Sequence, residues 1–374
     1  MSGKLVLLAA GGTAGHLFPA FALSEELGRR GHTIDLITDE RGDRYGTGFP
    51  AREVHQVPAA TPSGRSPVAA AKAAITLSRG IAAAYSLIGR LAPAAVIGFG
   101  GYPTVPPLLA ARMRRIPTAI HEQNAVLGRA NRMLSKRVSA IALSFEETKL
   151  IEGTAVTRAH YTGNPVRTTV IDWAQRAYRA AGAAERFDLL VFGGSQGARY
   201  FSDAVPPALA LLPAGTRARL VVTQQCRPED IDRVRAAYAA SGVTADLASF
   251  FKDLPERMAA SQLVIARAGA STIAELAVMG RPSILVPLPH ALDNDQLQNA
   301  RQLAGLGGAW CIEQKDLTPD RLAAEISRLM GEPSLLPAAA AAARSAGRAD
   351  AVLRLADLVE EIMQVRAPAK AARA

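Results

Sequence analysis

Three turns in this sequence have the composition needed to hold a phosphate: Gly11-Gly12-Thr13-Ala14-Gly15, Gly193-Gly194-Ser195-Gln196-Gly197 and Gly269-Ala270-Ser271-Thr272. Each follows an apolar run that reads as a strand and precedes a stretch that reads as a helix. Small residues there leave backbone N–H groups uncovered at the positive end of a helix dipole, which suits a phosphate. Glu275 comes one turn after the third, where a carboxylate could accept hydrogen bonds from sugar hydroxyls. The run Thr272-Ile273-Ala274-Glu275 also fits a capping box, which needs no ligand. His16 directly follows the first turn. Placement at a helix N-terminus lowers imidazole basicity and suits a general base or polarising group; a simple turn cap is the alternative. His121 opens the polar cluster His121-Glu122-Gln123-Asn124, whose spacing is not that of a metal site and which reads as hydrogen bonding to an acceptor sugar or to the other lobe. Asp293-Asn294-Asp295 has the DxD form that holds a metal and a nucleotide diphosphate in some transferases, but its place at an expected helix start favours capping.

Such residues need a frame of repeated strand-loop-helix units. Strands are expected at 4–10, 32–38, 93–98, 117–121, 138–144, 188–192, 263–266 and 283–287, with helices at about 17–30 and 66–91 and loops with short strands over 39–65. The pattern restarts after 161–168, and G-G-[Ser/Thr]-x-G recurs at 11–15 and 193–197 in the same context. The expected fold is α/β: two Rossmann-like doubly wound parallel-sheet domains facing a cleft. The domains are expected at 1–163 and 164–348, with the helix 349–365 packing back across the first and 366–374 a disordered basic tail. The glycine spacing is not G-x-G-x-x-G, and Asp39 sits in a charged loop start, so a nicotinamide or flavin enzyme is disfavoured. One glycine turn per domain suits an enzyme holding two phosphorylated ligands.

Cys226 and Cys311 are isolated, which excludes a disulfide scaffold or zinc site and fits a reducing cytosol. The N-terminal run MSGKLVLLAAGG reads as a first strand, and no apolar run approaches the ~20 residues that span a bilayer. A net charge of +10 favours a polyanionic partner. Nucleic acid is disfavoured, because no aromatic platform accompanies the charge. On the helix at 66–91, Leu77, Ile81, Ile88 and Leu91 form a core stripe, while Lys72, Arg79 and Arg90 share the other face beside Val68 and Ile75. That face suits an anionic membrane surface, or is an ordinary solvated face.

The motifs GGTAGHLFPA, GFGGYPTVPP, HEQNAVLGRAN, GNPVR, GGSQGAR and RAGASTIAELAVMGRPSILVP follow the order seen in the MurG family, which the chain resembles over nearly its whole length. The resemblance implies a family 28 glycosyltransferase of the glycosyltransferase B type, acting at the cytoplasmic face of the bacterial inner membrane as a peripheral protein. It implies inverting transfer of GlcNAc from UDP-GlcNAc to the muramyl 4-hydroxyl of undecaprenyl-diphosphate-MurNAc-pentapeptide, converting lipid I to lipid II in peptidoglycan synthesis. UDP-GlcNAc and lipid I would be substrates, other cell-wall synthesis and division proteins partners, and no cofactor or tightly bound metal is expected. Carried over by motif, the donor site would comprise Thr13, Ala14, Gly15, Asn124, Arg167, Ser195, Phe251, Ala270, Ser271, Thr272, Ile273, Ala274, Glu275 and Gln296, with Phe251 beside uracil, Glu275 on the ribose and Gln296 on the GlcNAc hydroxyls. His16 would be the base, and Gly12, Gly100, Gly101, Tyr102 and His121 would meet the acceptor. Lys72, Ile75, Arg79 and Arg90 would meet the membrane. The chain departs from the family at Ala14, where glycine is usual, and at Asp295, where a Gln pair is usual. Rival readings are a related transferase with another lipid acceptor and a non-catalytic UDP-sugar-binding scaffold. Reversing the charges of Lys72, Arg79 and Arg90 together should reduce sedimentation with anionic vesicles; undiminished binding would leave a solvated helix face.

Overall fold

The computed structural model describes residues 3–11, 14–39, 48–60, 66–194 and 197–364. Gly12, Thr13 and Ser195 of the glycine turns lie outside the described residues, as do 40–47, 61–65 and the tail 366–374. The side chains of Ala14 and Val68 are likewise outside the description. The chain forms two compact units, Met1–Val166 with Asp350–Ala374, and Arg167–Ala349.

The first unit holds β1 Leu5–Ala9, β2 Thr33–Thr38, β3 Glu53–Gln56, β4 Ala95–Gly98, β5 Thr118–Glu122, β6 Ala140–Leu143 and β7 Ala159–Tyr161. They pair in parallel in the order β3-β2-β1-β4-β5-β6-β7. The central strands, LVLLA and AVIG, are buried along nearly their whole length, as parallel strands covered on both faces must be. Helix α1, Ala14–Arg29, covers one face together with the C-terminal helix Ala351–Gln364; Leu23, Leu27, Leu355 and Val359 meet in that core. Ion pairs from Arg30 to Asp357 and Glu360 (2.6 and 2.7 Å) fasten the last helix beside α1. The other face carries α2 Pro67–Leu91, α3 Val105–Met113 and α4 Arg129–Ser135. Pro67 opens α2 at no cost, because the first N–H of a helix has no intrahelical acceptor. Ala84 and Ile88 of α2 are buried, whereas Lys72, Arg79 and Arg90 are exposed and Ile75 is 61% exposed. Among the described residues no helix is long and apolar enough to cross a membrane.

The second unit holds β8 Phe187–Phe192, β9 Leu220–Gln225, β10 Thr244–Ala248, β11 Leu263–Ala266, β12 Ser283–Leu285 and β13 Ala309–Cys311, again all parallel, in the order β10-β9-β8-β11-β12-β13. Four helices matter to its chemistry: α5 Arg199–Ala210, α6 Leu254–Ala260, α7 Ala270–Met279 and α8 Asp295–Gly305. Gly280 ends α7 in the left-handed conformation (φ 61°), and Arg281 N–H then bonds the Leu276 carbonyl, closing a Schellman motif. The fully buried Arg281 side chain gathers the ends of α6 and α7. It donates to the carbonyls of Met258 (3.2 Å), Ala259 (2.7 Å), Met279 (2.9 Å) and Arg176 (3.0 Å). Burial pushes its guanidinium down to about 10, so it stays charged at neutral pH, opposite the negative ends of two helix dipoles.

Strand order reverses between β1 and β4 in the first sheet and between β8 and β11 in the second. Connections leave such neighbours in opposite directions, so their carboxyl ends border a crevice that helices cannot fill. Gly11 follows β1 and Phe99–Tyr102 follow β4; Gly193–Gly194 follow β8 and Arg267–Gly269 follow β11.

Candidate functional site

In the first unit, His16 lies in the first turn of α1. Its Nδ1 is 3.1 Å from the Gly11 carbonyl, which can only accept, so Nδ1 carries the proton and Nε2 keeps the lone pair. Gly100 and Gly101 have φ of +89° and +74°, and a Cβ on either would sit 3.4 Å from the imidazole ring, so the backbone after β4 lies flat against it. Burial holds this imidazole below its ordinary range, opposed by the Gly11 bond. Tyr102 is half-buried and begins the short turn Tyr102–Thr104 on the same edge.

His121 corrects an expectation. It is fully buried at the end of β5, and both ring nitrogens are engaged within the unit. The Gln123 amide donates to Nδ1 (3.0 Å) as well as to the Phe99 carbonyl (3.0 Å), and Nε2 faces the Gly163 carbonyl at 3.2 Å. No ring nitrogen is left to bond an acceptor sugar; His121 ties β5 to the loop after β7. Burial pushes it down to about 4, with the neighbouring His16 adding to the shift.

Glu122, the second member of that cluster, braces the loop that follows it. Its buried carboxylate accepts from the backbone N–H of Asn124 (3.0 Å) and Gly128 (2.8 Å) and from Asn131 Nδ2 (2.8 Å). Burial raises its carboxyl despite those bonds. The loop that presents Asn124 is therefore shaped by one carboxylate. The sequence signal was a charged residue at the last position of a strand, followed by residues that want its bonds.

In the second unit, α7 begins at Ala270 with Gly269 as an extended N-cap and no side-chain capping bond. The expected capping box does not form: Glu275 is the sixth helical residue, three too late to reach the cap. Its buried carboxylate instead accepts from Arg167 Nε (3.1 Å) and Nη2 (2.9 Å). Burial raises the Glu275 carboxyl and the Arg167 charge opposes the rise. Ala270, Ser271, Thr272 and Ala274 are half-buried, and the first-turn N–H groups have no intrahelical acceptor. Ile273 is buried and its N–H bonds the Gly269 carbonyl, so it packs.

The turn after β8 demands glycine. A Cβ on Gly193 would lie 2.4 Å from Ala198 N, and Gly194 and Gly197 have φ of +92° and +67°. Gly193 N–H donates to Gln225 Oε1 at 3.1 Å, which ties the turn to the end of β9. Phe251 is buried with the Arg257 guanidinium 4.4 Å above its ring, so the ring standing open on this loop is Phe250, 65% exposed. Gln296, second residue of α8, accepts from Leu288 N–H (3.0 Å) and so braces the loop after β12. His290, Asp293 and Asn294 take left-handed φ in that loop; Asn294 makes no side-chain capping bond, while the Asp295 carboxylate accepts from the first-turn N–H of Gln296 (2.6 Å). Among the described residues, the group dense enough to hold a metal is Asp35, Glu53 and His55 of the first unit, and there Arg52 already takes both carboxylate oxygens of Asp35 (2.9 and 2.6 Å).

The depressed His121 value gives a stability prediction. The unfolded chain takes up this proton near pH 6.5 and the folded one only near 4, so the contribution is full above 6.5 and is lost as pH falls between them. Urea unfolding should lose up to about 3 kcal/mol over that window from this group. His121→Gln should flatten the pH slope there; an unaltered slope would assign it to other residues.

The first unit matches the glycosyltransferase family 28 N-terminal domain over residues 6–143, and residues 188–355 match the family's C-terminal domain. The chain is 55% identical over 361 residues, 96% of its length and 99% of the relative's, to the UDP-N-acetylglucosamine--N-acetylmuramyl-(pentapeptide) pyrophosphoryl-undecaprenol N-acetylglucosamine transferase of Rhodopseudomonas palustris. It is 56% identical over 358 residues, 96% of each chain, to the protein of that name from Methylobacterium sp.. Among solved structures it is similar to Acinetobacter baumannii MurG, with a TM-score of 0.80 and 29% identity over 96% of this chain and 99% of that one.

Proposed function

The chain belongs to glycosyltransferase family 28, and from that premise we propose how its two doubly wound units divide the work. The protein transfers N-acetylglucosamine from UDP-GlcNAc to the muramyl 4-hydroxyl of undecaprenyl-diphosphate-MurNAc-pentapeptide, the lipid I to lipid II step of peptidoglycan synthesis. One observation carries the donor assignment. The strand reversal of the second unit brings Gly193 and Gly194 and the uncapped start of α7 to adjacent strand ends, with Glu275 and Arg167 paired further along that helix. N–H groups at the start of α7 would take the diphosphate, and the free side of the Glu275 carboxylate the ribose. Gln296 would reach the sugar by its amide nitrogen, since its oxygen is spent on Leu288.

The first unit takes the acceptor. His16 Nε2 would remove the 4-hydroxyl proton as the oxygen attacks the anomeric carbon from the face opposite the departing UDP, giving inversion. The lowered basicity of His16 keeps it unprotonated at neutral pH, as a base must be. Helix N-termini meet the charge that develops on the diphosphate without reorganising during the reaction. The exposed Lys72, Arg79 and Arg90 beside Ile75 support peripheral attachment at the anionic cytoplasmic face of the inner membrane, where the acceptor's lipid tail stays.

Radiolabelled UDP-GlcNAc and a short-chain lipid I analogue test the reading directly. Label should pass to the analogue; none, under conditions where the donor binds, would sink it. His16→Ala should cut turnover by about 10²-fold or more with donor affinity nearly unchanged, and normal turnover removes His16 as the base. Glu275→Ala should weaken UDP binding by about tenfold or more, the worth of a charge-assisted hydrogen bond. Unchanged affinity would leave Glu275 as a partner for Arg167 alone.

A further inference from the structure

The carboxyl edge of the second sheet carries a cation that no motif announces. Arg227 lies two residues beyond the end of β9, and two contacts fix it beside the glycine turn. Gln225 accepts from Gly193 N–H (3.1 Å) and donates to the Ser249 carbonyl (3.2 Å), pinning the strand end. Arg227 then packs against Gly197: a Cβ there would lie 3.5 Å from Arg227 Cγ and 3.7 Å from its backbone N.

Neighbouring arginines are committed. Arg233 bonds Asp203 (2.7 Å) and Asp230 (2.8 Å), and Arg199 lies 3.8 Å from Asp203. Arg267 is buried and donates to the Val286 and Pro287 carbonyls and to Gln314. The guanidinium of the half-buried Arg227 has no hydrogen bond or ion pair among the described residues. Of the two acids that follow it, Glu229 is exposed and has no ion pair among the described residues, and Asp230 bonds Arg233. A guanidinium that makes no ion pair among the described residues, on a stem packed against Gly197, is left to meet an external anion.

We infer that Arg227 binds the diphosphate of a nucleoside diphosphate held at the carboxyl ends of β8 and β9, beside Gly193, Gly194 and Gly197, where it supplies formal charge. The inference rests on the donor assignment to this unit. Arginine suits the task because its planar fork can span two phosphate oxygens.

Calorimetry on the full chain compares UDP with uridine, which shares the base and ribose but lacks phosphate. Arg227→Gln keeps the stem that packs on Gly197 and removes the charge; Arg227→Lys keeps the charge. Arg227→Gln should weaken UDP binding about tenfold or more, leave uridine within twofold, and reduce the salt dependence of UDP affinity. Arg227→Lys should fall between, with thermal unfolding unchanged in both. UDP affinity within twofold of the parent in Arg227→Gln, or an equal loss for uridine, would overturn the assignment. If the parent chain binds neither compound, the donor reading itself fails, which is a separate result.

Discussion

Parallel strand pairing imposes the constraint on which the rest of this molecule depends. Each right-handed crossover must carry the chain from the carboxyl edge of a sheet back to its amino edge, and a sheet wound outward in both directions has one place where adjacent crossovers part. In the first unit that place lies between β1 and β4, in the second between β8 and β11. Helix starts, uncovered N–H groups and glycine turns collect there because the topology leaves nothing else to fill the gap. The proposed base, His16, lies on the helix after β1, and the proposed ribose ligand, Glu275, on the helix after β11.

Around those points the fold accepts polar groups that an ordinary core would reject, and each is held by local partners. Glu122 is buried as a carboxyl but collects backbone N–H groups and an Asn amide, and Glu275 is buried against Arg167; at the opposite, amino edge of the second sheet, Arg281 is buried among carbonyls at helix ends. Unpaired, each would cost several kcal/mol. Paired, they constrain loops and helix ends more sharply than apolar contacts could, because a hydrogen bond specifies direction as well as distance. Precision at the strand ends is thus supplied by buried polar groups one layer beneath them.

The two histidines illustrate how position in that layer decides chemistry. Both have lowered basicity through burial. His121 spends both nitrogens on Gln123 and Gly163 and becomes a brace, whereas the Gly11 bond of His16 fixes its proton on Nδ1. The glycines at 100 and 101 permit this, since their positive φ and missing side chains let the backbone lie against the ring.

Local sequence was sufficient to determine the alternation of strands and helices, because a parallel strand buried on both faces must be continuously apolar and a helix start must be small, polar or proline. The strand 263–266 and the start of α2 at Pro67 were legible for that reason. The recurrence of one turn in two places was also enough to foretell two doubly wound sheets. Sequence could not determine which buried groups would meet. Arg167 and Glu275 are 108 residues apart, and the capping box inferred from Thr272 and Glu275 gave way to that pair once the helix began at Ala270. His121, Glu122 and Arg227 acquired their roles in the same way, from neighbours brought by other strands. Periodicity is a property of adjacent residues and can be read along the chain; the partner of a charge is set by strand order, and only the folded sheet supplies it.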